Sequence, residues 1–287
     1  RHEDTFNKDM CTDIDTVKRD LLDMKSMGCN FVRLCHYPHD PKEIDLCDEI
    51  GLLVKCEVPL WQWKGDDEGE GLTRKRIDAA KRQLADMIVR DFNRPSVIIW
   101  SVSNEAHDQR PEVTAGNYEL VRFVRTLDTS RLITHVSDHW FDEARFDEED
   151  IICLNGYPVQ FHDPRCTPWD KEGQKNWWIK KLEAVHAKYP EKPIMIAEFG
   201  IMSIRGLSNN FHGEDAQACA IESQYQGMHA PYVCGSVIWC YADHAWPNGR
   251  ISLYGSVTRD RSYKKASYYT LKKLFLEKRQ SSAEEVN

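Results

Sequence analysis

The sequence predicts an α/β fold, a (β/α)8 barrel (TIM barrel), and three observations predict it. Short apolar runs of strand length alternate with amphipathic helical patterns along the whole chain, which is typical of parallel strands joined by helices. The 287 residues suit one barrel domain, because such barrels reach this size as a single unit. The first pattern is a helix with no strand before it. We therefore expect one domain over residues 1–287, in which the first barrel strand is missing or precedes Arg1.

The first helix shows how the elements are recognised. Thr12 is a candidate N-cap, apolar residues recur at helical spacing from Ile14 to Met24, and Gly28 is placed to end the helix. Strands are predicted over residues 30–36, 52–59, 96–105, 132–137, 151–156, 193–200 and 234–241. Helices are predicted over residues 41–50, 72–91, 117–127, 176–188, 214–228 and 263–277, with a solvated loop at 65–71 and a solvated tail at 279–287.

Composition excludes several classes of partner. The formal net charge of −8 argues against nucleic acid or an anionic membrane, because both attract a basic surface. No apolar run approaches the roughly 20 residues that span a bilayer. The ten cysteines form no CxxC pair and lie mostly in apolar strand or helix patterns. Unpaired buried thiols favour a reducing, cytoplasmic compartment, with disulfides as the alternative.

Polar and aromatic residues gather at the predicted carboxyl ends of the strands, where barrel active sites lie. These residues are Arg33, His36, Glu57, Asn104, Glu105, His135, Asp138, Asn155, Tyr157, Glu198, Trp239 and Asp243. Glu105 and Glu198 each close an apolar strand. If the missing strand is counted as the first, they end strands four and seven, on opposite sides of the barrel mouth. Two facing carboxyl groups can hydrolyse a glycoside, because one protonates the leaving oxygen while the other attacks the anomeric carbon.

Several segments resemble glycoside hydrolase family 2, the β-galactosidase and β-glucuronidase family. They include NFVRLCHYPHDP, CDEIGLLVKCEVPLW, NRPSVIIWSVSNE, MIAEFG, GSVIWCYAD and GSVTRDRSYKKA, which stand in family order and cover almost the whole chain. The resemblance implies a barrel domain whose acid/base and nucleophile end strands four and seven. Family members usually carry two β-sandwich domains before the barrel, and this sequence contains neither. We therefore expect the catalytic module of a longer polypeptide, with N-terminal domains or oligomer contacts as further partners of the barrel.

The resemblance implies a role for each catalytic side chain. Glu105 is the expected general acid/base, with a pKa raised by the nearby carboxylate. Glu198 is the expected nucleophile, which forms the covalent glycosyl-enzyme. Asn104 is expected to donate a hydrogen bond to the sugar 2-hydroxyl. Tyr157 and Arg33 are expected to orient Glu198.

The resemblance also implies contacts with the sugar. Trp239 is expected to form the floor of the sugar subsite, and His36, Glu57 and His135 are expected to contact sugar hydroxyls. Simpler alternatives are a core ion pair of Arg33 with Glu57, core positions for His36, His135 and Trp239, and a structural role for Asp243. Trp61 and Trp63 are expected to line a leaving-group site rather than the core.

No cofactor or metal is expected. The sequence contains no HExxH motif and no EF-hand loop. Some family members bind Mg²⁺ through a strand-three glutamate and a histidine two residues later, whereas here Glu57 is followed by Val58 and Pro59. Hydrolysis by two carboxyl groups requires no metal.

The substrate is predicted to be a terminal β-glycoside, cleaved with retention and most simply a β-galactoside. Family β-glucuronidases carry an Asn-x-Lys element before a GIFTR-like stretch, and this chain has Ser252-Leu253-Tyr254 before GSVTRD. One alternative is a β-glucuronidase or β-galacturonidase that reads the sugar carboxylate through Arg250 or Arg259. An alternative of another class is a carbohydrate-binding module with an incomplete catalytic site.

Overall fold

A seven-stranded parallel sheet forms the centre of the molecule, in which each strand pairs with the next in chain order. The computed structural model describes residues 13–69, 71–139, 145–246 and 249–285. The strands are β1 Phe31–Leu34, β2 Leu53–Glu57, β3 Val97–Asn104, β4 Leu132–Ser137, β5 Ile152–Gly156, β6 Ile194–Phe199 and β7 Val233–Ser236. The predicted number and order of strands are therefore confirmed within the described residues.

Helices precede and separate the strands. They are α1 Ile14–Ser26, α2 Pro41–Ile50, α3 Leu72–Asp91, α4 Pro111–Leu127, α5 Lys171–Lys188, α6 Glu214–Gln226 and α7 Ala266–Glu285. After β7 the chain forms a short antiparallel hairpin of β8, His244–Ala245, with β9, Ile251–Ser252. Because β1 to β7 all run in the same direction, their carboxyl ends lie at the same end of the sheet.

Several element boundaries differ from the prediction. The predicted cap Thr12 lies outside the described residues, and Asp13 caps α1 by accepting a hydrogen bond from the Thr16 N–H at 2.9 Å. Helix α4 begins at Pro111 rather than at residue 117, because proline fits the first helical position, where no N–H is needed. The predicted solvated tail is helical as far as Glu285, and the predicted loop at 65–71 contains a 3₁₀ turn over Gly65–Glu68.

The last strand is shorter than the apolar pattern predicts. Regular pairing of β7 stops at Ser236, although the backbone continues beside β6. Val237 N–H donates to Ile196 O at 2.8 Å and Trp239 N–H donates to Phe199 O at 3.0 Å. This irregular path brings Trp239 to the mouth of the barrel.

The sheet is open between its first and last strands. Within the described residues β1 pairs only with β2, and β7 only with β6. An apolar cavity of ≈ 200 Å³ lies between these two edges, lined by residues that include Leu34, Val237 and Ile238. In a closed eight-stranded barrel one further strand occupies the position of this seam.

Nine cysteines within the described residues are free thiols. None of the described helices is both long enough and apolar enough to cross a membrane.

Candidate active site

Glu105 directly follows the last residue of β3, in a strained backbone conformation. Its φ of 49° is in the left-handed region, which a residue with a Cβ adopts only at a cost. The Glu105 N–H donates to Val136 O on β4 at 2.8 Å and fixes this turn. The neighbouring loop after β2 adds two more bonds to β3, because Gln62 N–H donates to Asn104 O and Asn104 N–H donates to Leu60 O, both at 3.0 Å.

The Glu105 carboxyl group has neutral partners. Asn155 Nδ2 donates to Glu105 Oε1 at 2.8 Å, and Gln62 Nε2 donates to Glu105 Oε2 at 3.0 Å. Burial of the group raises its pKa, the charges of Glu198 and Asp138 raise it further, and the resulting pKa is about 7. A carboxyl group with this pKa is protonated in a large fraction of the molecules at neutral pH.

Glu198 lies on β6 and has a cationic and a phenolic partner. Arg33 Nη1 donates to Glu198 Oε1 at 2.5 Å, and Tyr157 Oη donates to Glu198 Oε2 at 2.5 Å. Burial, together with the charges of Glu198 and Glu105, raises the pKa of Tyr157 well above its ordinary value. The phenol therefore keeps its proton and remains a donor to the carboxylate.

A single guanidinium connects the two halves of the site. Besides Glu198, Arg33 contacts Asn104 Oδ1 through Nη2 at 2.6 Å and Glu57 Oε1 at 3.1 Å. Arg33 thus combines the two roles considered for it, the ion pair with Glu57 and the contact with Glu198. Asn104 Oδ1 also accepts from Asn155 Nδ2 at 3.3 Å, whereas Asn104 Nδ2 has no acceptor among the described residues.

Five aromatic rings form a closed collar beside the two glutamates. Each ring lies against the next, with centroid separations from 5.3 to 6.4 Å, in the order Trp61, Trp246, His244, Trp239 and His36. Trp61 is 46% exposed and adjoins Gln62, which contacts Glu105. The collar therefore offers an apolar face at the entrance to the site.

The two ring nitrogens of His36 face two different carboxylates, those of Glu57 and Glu198. Its Nδ1 lies 2.8 Å from Glu57 Oε1, and its Nε2 lies 3.9 Å from Glu198 Oε1.

Three residues expected to contact the substrate are buried among other side chains. The Glu57 side chain is completely buried, and its oxygens are contacted by Arg33, His36, Lys55 and Ser101. Glu57 therefore helps to hold Arg33 in position. Trp63, expected to line a leaving-group site, is 1% exposed and packs in the core.

His135 is the third of these residues, and its surroundings fit the alternative of a core histidine. It is 1% exposed, with Nδ1 2.7 Å from Glu149 Oε1 and Nε2 3.1 Å from Asp108 Oδ2. Burial alone would lower its pKa, but the two carboxylates outweigh burial and raise it to about 9. His135 therefore links the loops that follow β3 and β4. Asp243 is likewise structural, since the buried Lys265 ammonium lies 2.9 Å from it.

Two residues that support the glutamates have no role predicted from the sequence. Asn155 was recognised at a strand end without a role, and its position opposite Glu198 in the β5–β6 register explains why its amide reaches the site. Gln62 was missed because it lies in a loop at a φ of 47°, and no periodicity marks such a position. Among the described residues, no group of three or more His, Cys, Asp or Glu side chains has the arrangement of a metal site.

Similarity to known proteins agrees with this geometry. Residues 1–277 match the family described as "Glycosyl hydrolases family 2, TIM barrel domain". The chain belongs to glycosyl hydrolase family 2. The resemblance seen in the sequence and the predicted (β/α)8 barrel class are therefore confirmed.

Family 2 relatives of the chain are named β-glucuronidases. The human protein is 26% identical over 93% of this chain and 42% of its own length. The Streptococcus agalactiae protein is 29% identical over 85% of this chain and 43% of its own. The chain thus spans less than half the length of these relatives.

Solved family 2 structures have the same barrel. The Dictyoglomus thermophilum β-D-glucuronidase has a TM-score of 0.87 and 27% identity, covering 96% of this chain and 49% of that chain. The Ruminococcus gnavus β-glucuronidase in complex with uronic deoxynojirimycin has a TM-score of 0.87 and 26% identity, covering 96% and 48%. A β-galacturonidase from Eisenbergiella tayi, at 24% identity and a TM-score of 0.83, shares the fold.

Proposed function

We propose that this chain is the catalytic domain of a retaining exo-β-glycosidase. The observation that carries the proposal is the contrast between the partners of two buried glutamates whose charges act on each other. Glu198 is held by Arg33 and Tyr157 with its carboxylate pointing into the site, as a nucleophile requires. Glu105 has a pKa of about 7, as a general acid at neutral pH requires.

The proposed reaction has two displacements. Glu198 attacks the anomeric carbon while Glu105 gives its proton to the leaving oxygen, so that a covalent glycosyl-enzyme forms. Glu105, now ionised, takes a proton from water, and that water attacks the same carbon and releases Glu198. Each step inverts the configuration, and the product therefore retains that of the substrate.

Other side chains support binding of the sugar. Asn104 Nδ2, without an acceptor among the described residues, is available to a sugar 2-hydroxyl. His36 Nε2 and the Trp239 ring face the same space. The exposed Trp61, next to the residue that contacts Glu105, is suited to stack against the leaving group.

The substrate class that we propose first is a β-glucuronide, because the relatives and solved structures described above at 25% identity or more are named β-glucuronidases. A neutral β-galactoside, the simplest substrate from sequence alone, is the second candidate. One observation favours it: Tyr254, at the end of the segment that replaces Asn-x-Lys, is uncharged and donates to Gln160 Oε1 at 2.8 Å. For a uronide, Arg250 or Arg259 remains the proposed carboxylate reader.

A panel of p-nitrophenyl β-glycosides tests the class and the sugar together. Turnover of the β-glucuronide and not of the β-galactoside is the expected result, and the reverse would support the neutral sugar. A β-galacturonide in the same panel tests the epimer at C4. Binding of these sugars without turnover would instead favour a carbohydrate-binding module.

Covalent labelling tests the nucleophile. A 2-deoxy-2-fluoro β-glycosyl fluoride of the sugar that is turned over should inactivate the protein and label Glu198, as located by peptide mass analysis. Glu198→Gln is the control and should take up no label. A label on any other residue would overturn the assignment.

A further inference from the structure

Lys55 places a positive charge inside the barrel that the proposed reaction does not use. Lys55 and Glu57 are two residues apart on β2, so both side chains point to the inner face of the sheet. Both are fully buried. Lys55 Nζ lies 2.7 Å from Glu57 Oε2, its one acceptor among the described residues. Because burying an ammonium group is costly unless it is paired, an apolar side chain would fill this position at lower cost.

Lys55 also lies beside a second cation. In the β1–β2 register it is the partner of Arg33, so that the two side chains are neighbours on the inner face. Glu57 lies one layer nearer the mouth and accepts from both, with Arg33 Nη2 at 3.1 and 3.2 Å from its two oxygens. Arg33 has further acceptors at the mouth, Glu198 Oε1 and Asn104 Oδ1.

With Lys55 included, the lysine and arginine charges of this row equal the charges of its two carboxylates. Lys55 and Arg33 supply two positive charges to Glu57 and Glu198, which supply two negative charges. Without Lys55, one guanidinium would be shared by two carboxylates, and the more deeply buried Glu57 would compete for it. Burial opposes ionisation of Glu57, but Arg33 and Lys55 together hold the pKa of Glu57 well below its ordinary value.

We propose that Lys55 is a positioning residue for the nucleophile: it neutralises Glu57 from inside the barrel and so leaves Arg33 available to hold Glu198. This inference rests on the proposed role of Glu198. The charged and titratable groups that face Glu198 are Arg33, Cys35, His36, Glu57, Glu105, Tyr157 and Tyr254. Lys55 acts on Glu198 through two of them, Glu57 and Arg33.

The test is a titration of Glu198 itself. Protein carrying ¹³Cδ-glutamate is followed by NMR against pH, and the Glu198 signal is assigned by its loss in Glu198→Gln. In Lys55→Met the pKa of Glu198 should rise by about 0.5 to 1 unit, because Arg33 is drawn towards Glu57. The acidic limb of kcat/KM should move upward by the same amount. An unchanged pKa of Glu198 would overturn the proposal.

A matched control separates positioning from simple burial. Lys265 is also fully buried and pairs with one carboxylate, Asp243, at 2.9 Å, but no guanidinium links that carboxylate to Glu198 in the contacts described above. Lys265→Met should lower thermal stability while leaving the Glu198 titration in place. If Lys265→Met moves the Glu198 pKa as far as Lys55→Met does, the specific role of Lys55 is lost.

Two further variants keep the proposal testable if Lys55→Met does not fold. Glu57→Gln should lower the pKa of Glu198, because Arg33 is then shared with one carboxylate fewer. Lys55→Met combined with Glu57→Gln should return that pKa to the wild-type value or below it. A rise in either variant contradicts the proposal. Because the NMR titration requires no turnover, a protein inactive on every glycoside can fail the proposed function and still test the link between Lys55 and Glu198.

Discussion

The two carboxyl groups at the barrel mouth differ in the donors that surround them. Glu105 accepts from two neutral amides, those of Asn155 and Gln62, whereas Glu198 accepts from a guanidinium and a phenol. A positive charge favours the ionised form of a carboxyl group far more than an amide does. The two environments therefore suit the roles proposed for these glutamates, a proton donor for Glu105 and a nucleophile for Glu198.

At this scale the pH profile can be predicted. Glu105 must be protonated to act as an acid, and its raised pKa is about 7. We expect kcat/KM to fall as pH rises through about 7, because Glu105 then loses the proton that it must donate. The measurement is kcat/KM between pH 4 and pH 9, a range of about five units around the pKa. A profile that stays level well above pH 8 would contradict the acid role.

Glu105→Gln provides the control for that profile. An amide cannot donate the catalytic proton, so the variant should lose roughly 10²- to 10⁴-fold in turnover of glycosides with poor leaving groups. Activated aryl glycosides with good leaving groups should lose far less in the first step. The basic limb near pH 7 should disappear. Equal losses for good and poor leaving groups would count against Glu105.

Whole elements could be predicted from the sequence more reliably than contacts between them. The apolar runs identify each of the seven strands, because a strand covered on both faces has a continuous apolar pattern. The same apolar runs show where each strand ends, and Glu105 and Glu198 stand at two of these ends. The surroundings of Trp63 and His135 cannot be predicted in this way, because burial of a loop tryptophan or a strand-end histidine depends on partners distant in sequence. Those partners, such as Gly116 against Trp63, have no local signal.

The packing of Trp63 gives a prediction for helix α4. Alanine at position 116 would favour the helix by about 1 kcal/mol, but its Cβ would lie 2.7 Å from Trp63 Cη2 and 2.9 Å from Ile77 Cδ1. Such overpacking costs about 1–3 kcal/mol, so the net effect of Gly116→Ala is expected to be destabilising. Urea denaturation measures the free energy of unfolding.

A double-mutant cycle checks the cause. Trp63→Phe removes the part of the ring that the new methyl group would meet, so the double variant should lose less stability than the sum of the two single variants. Strictly additive losses would show that Gly116→Ala acts through something other than contact with Trp63.

At the scale of the whole molecule, the open seam is the main departure from a closed barrel. Parallel strands in the interior of a sheet have hydrogen bonds on both sides, but β1 and β7 have a strand partner on one side only within the described residues. The proposed substrate site borders this seam, since Arg33 is on β1 and Trp239 follows β7. The stability of the seam therefore bears on the geometry of Arg33 and, through it, of Glu198.

Hydrogen exchange followed by mass spectrometry measures this difference directly. Amides of β3 and β4, which pair on both sides and are mostly buried, should exchange slowest and approach the free energy of global unfolding. Amides of β7, whose residues are half-buried or exposed, should exchange through local opening, on the order of 10- to 1,000-fold faster. The amides of β1 should lie between these limits, because Arg33 is fixed by Glu57 and Glu198. Equal protection of β7 and β3 would mean that additional backbone forms hydrogen bonds along the seam in solution and closes the barrel.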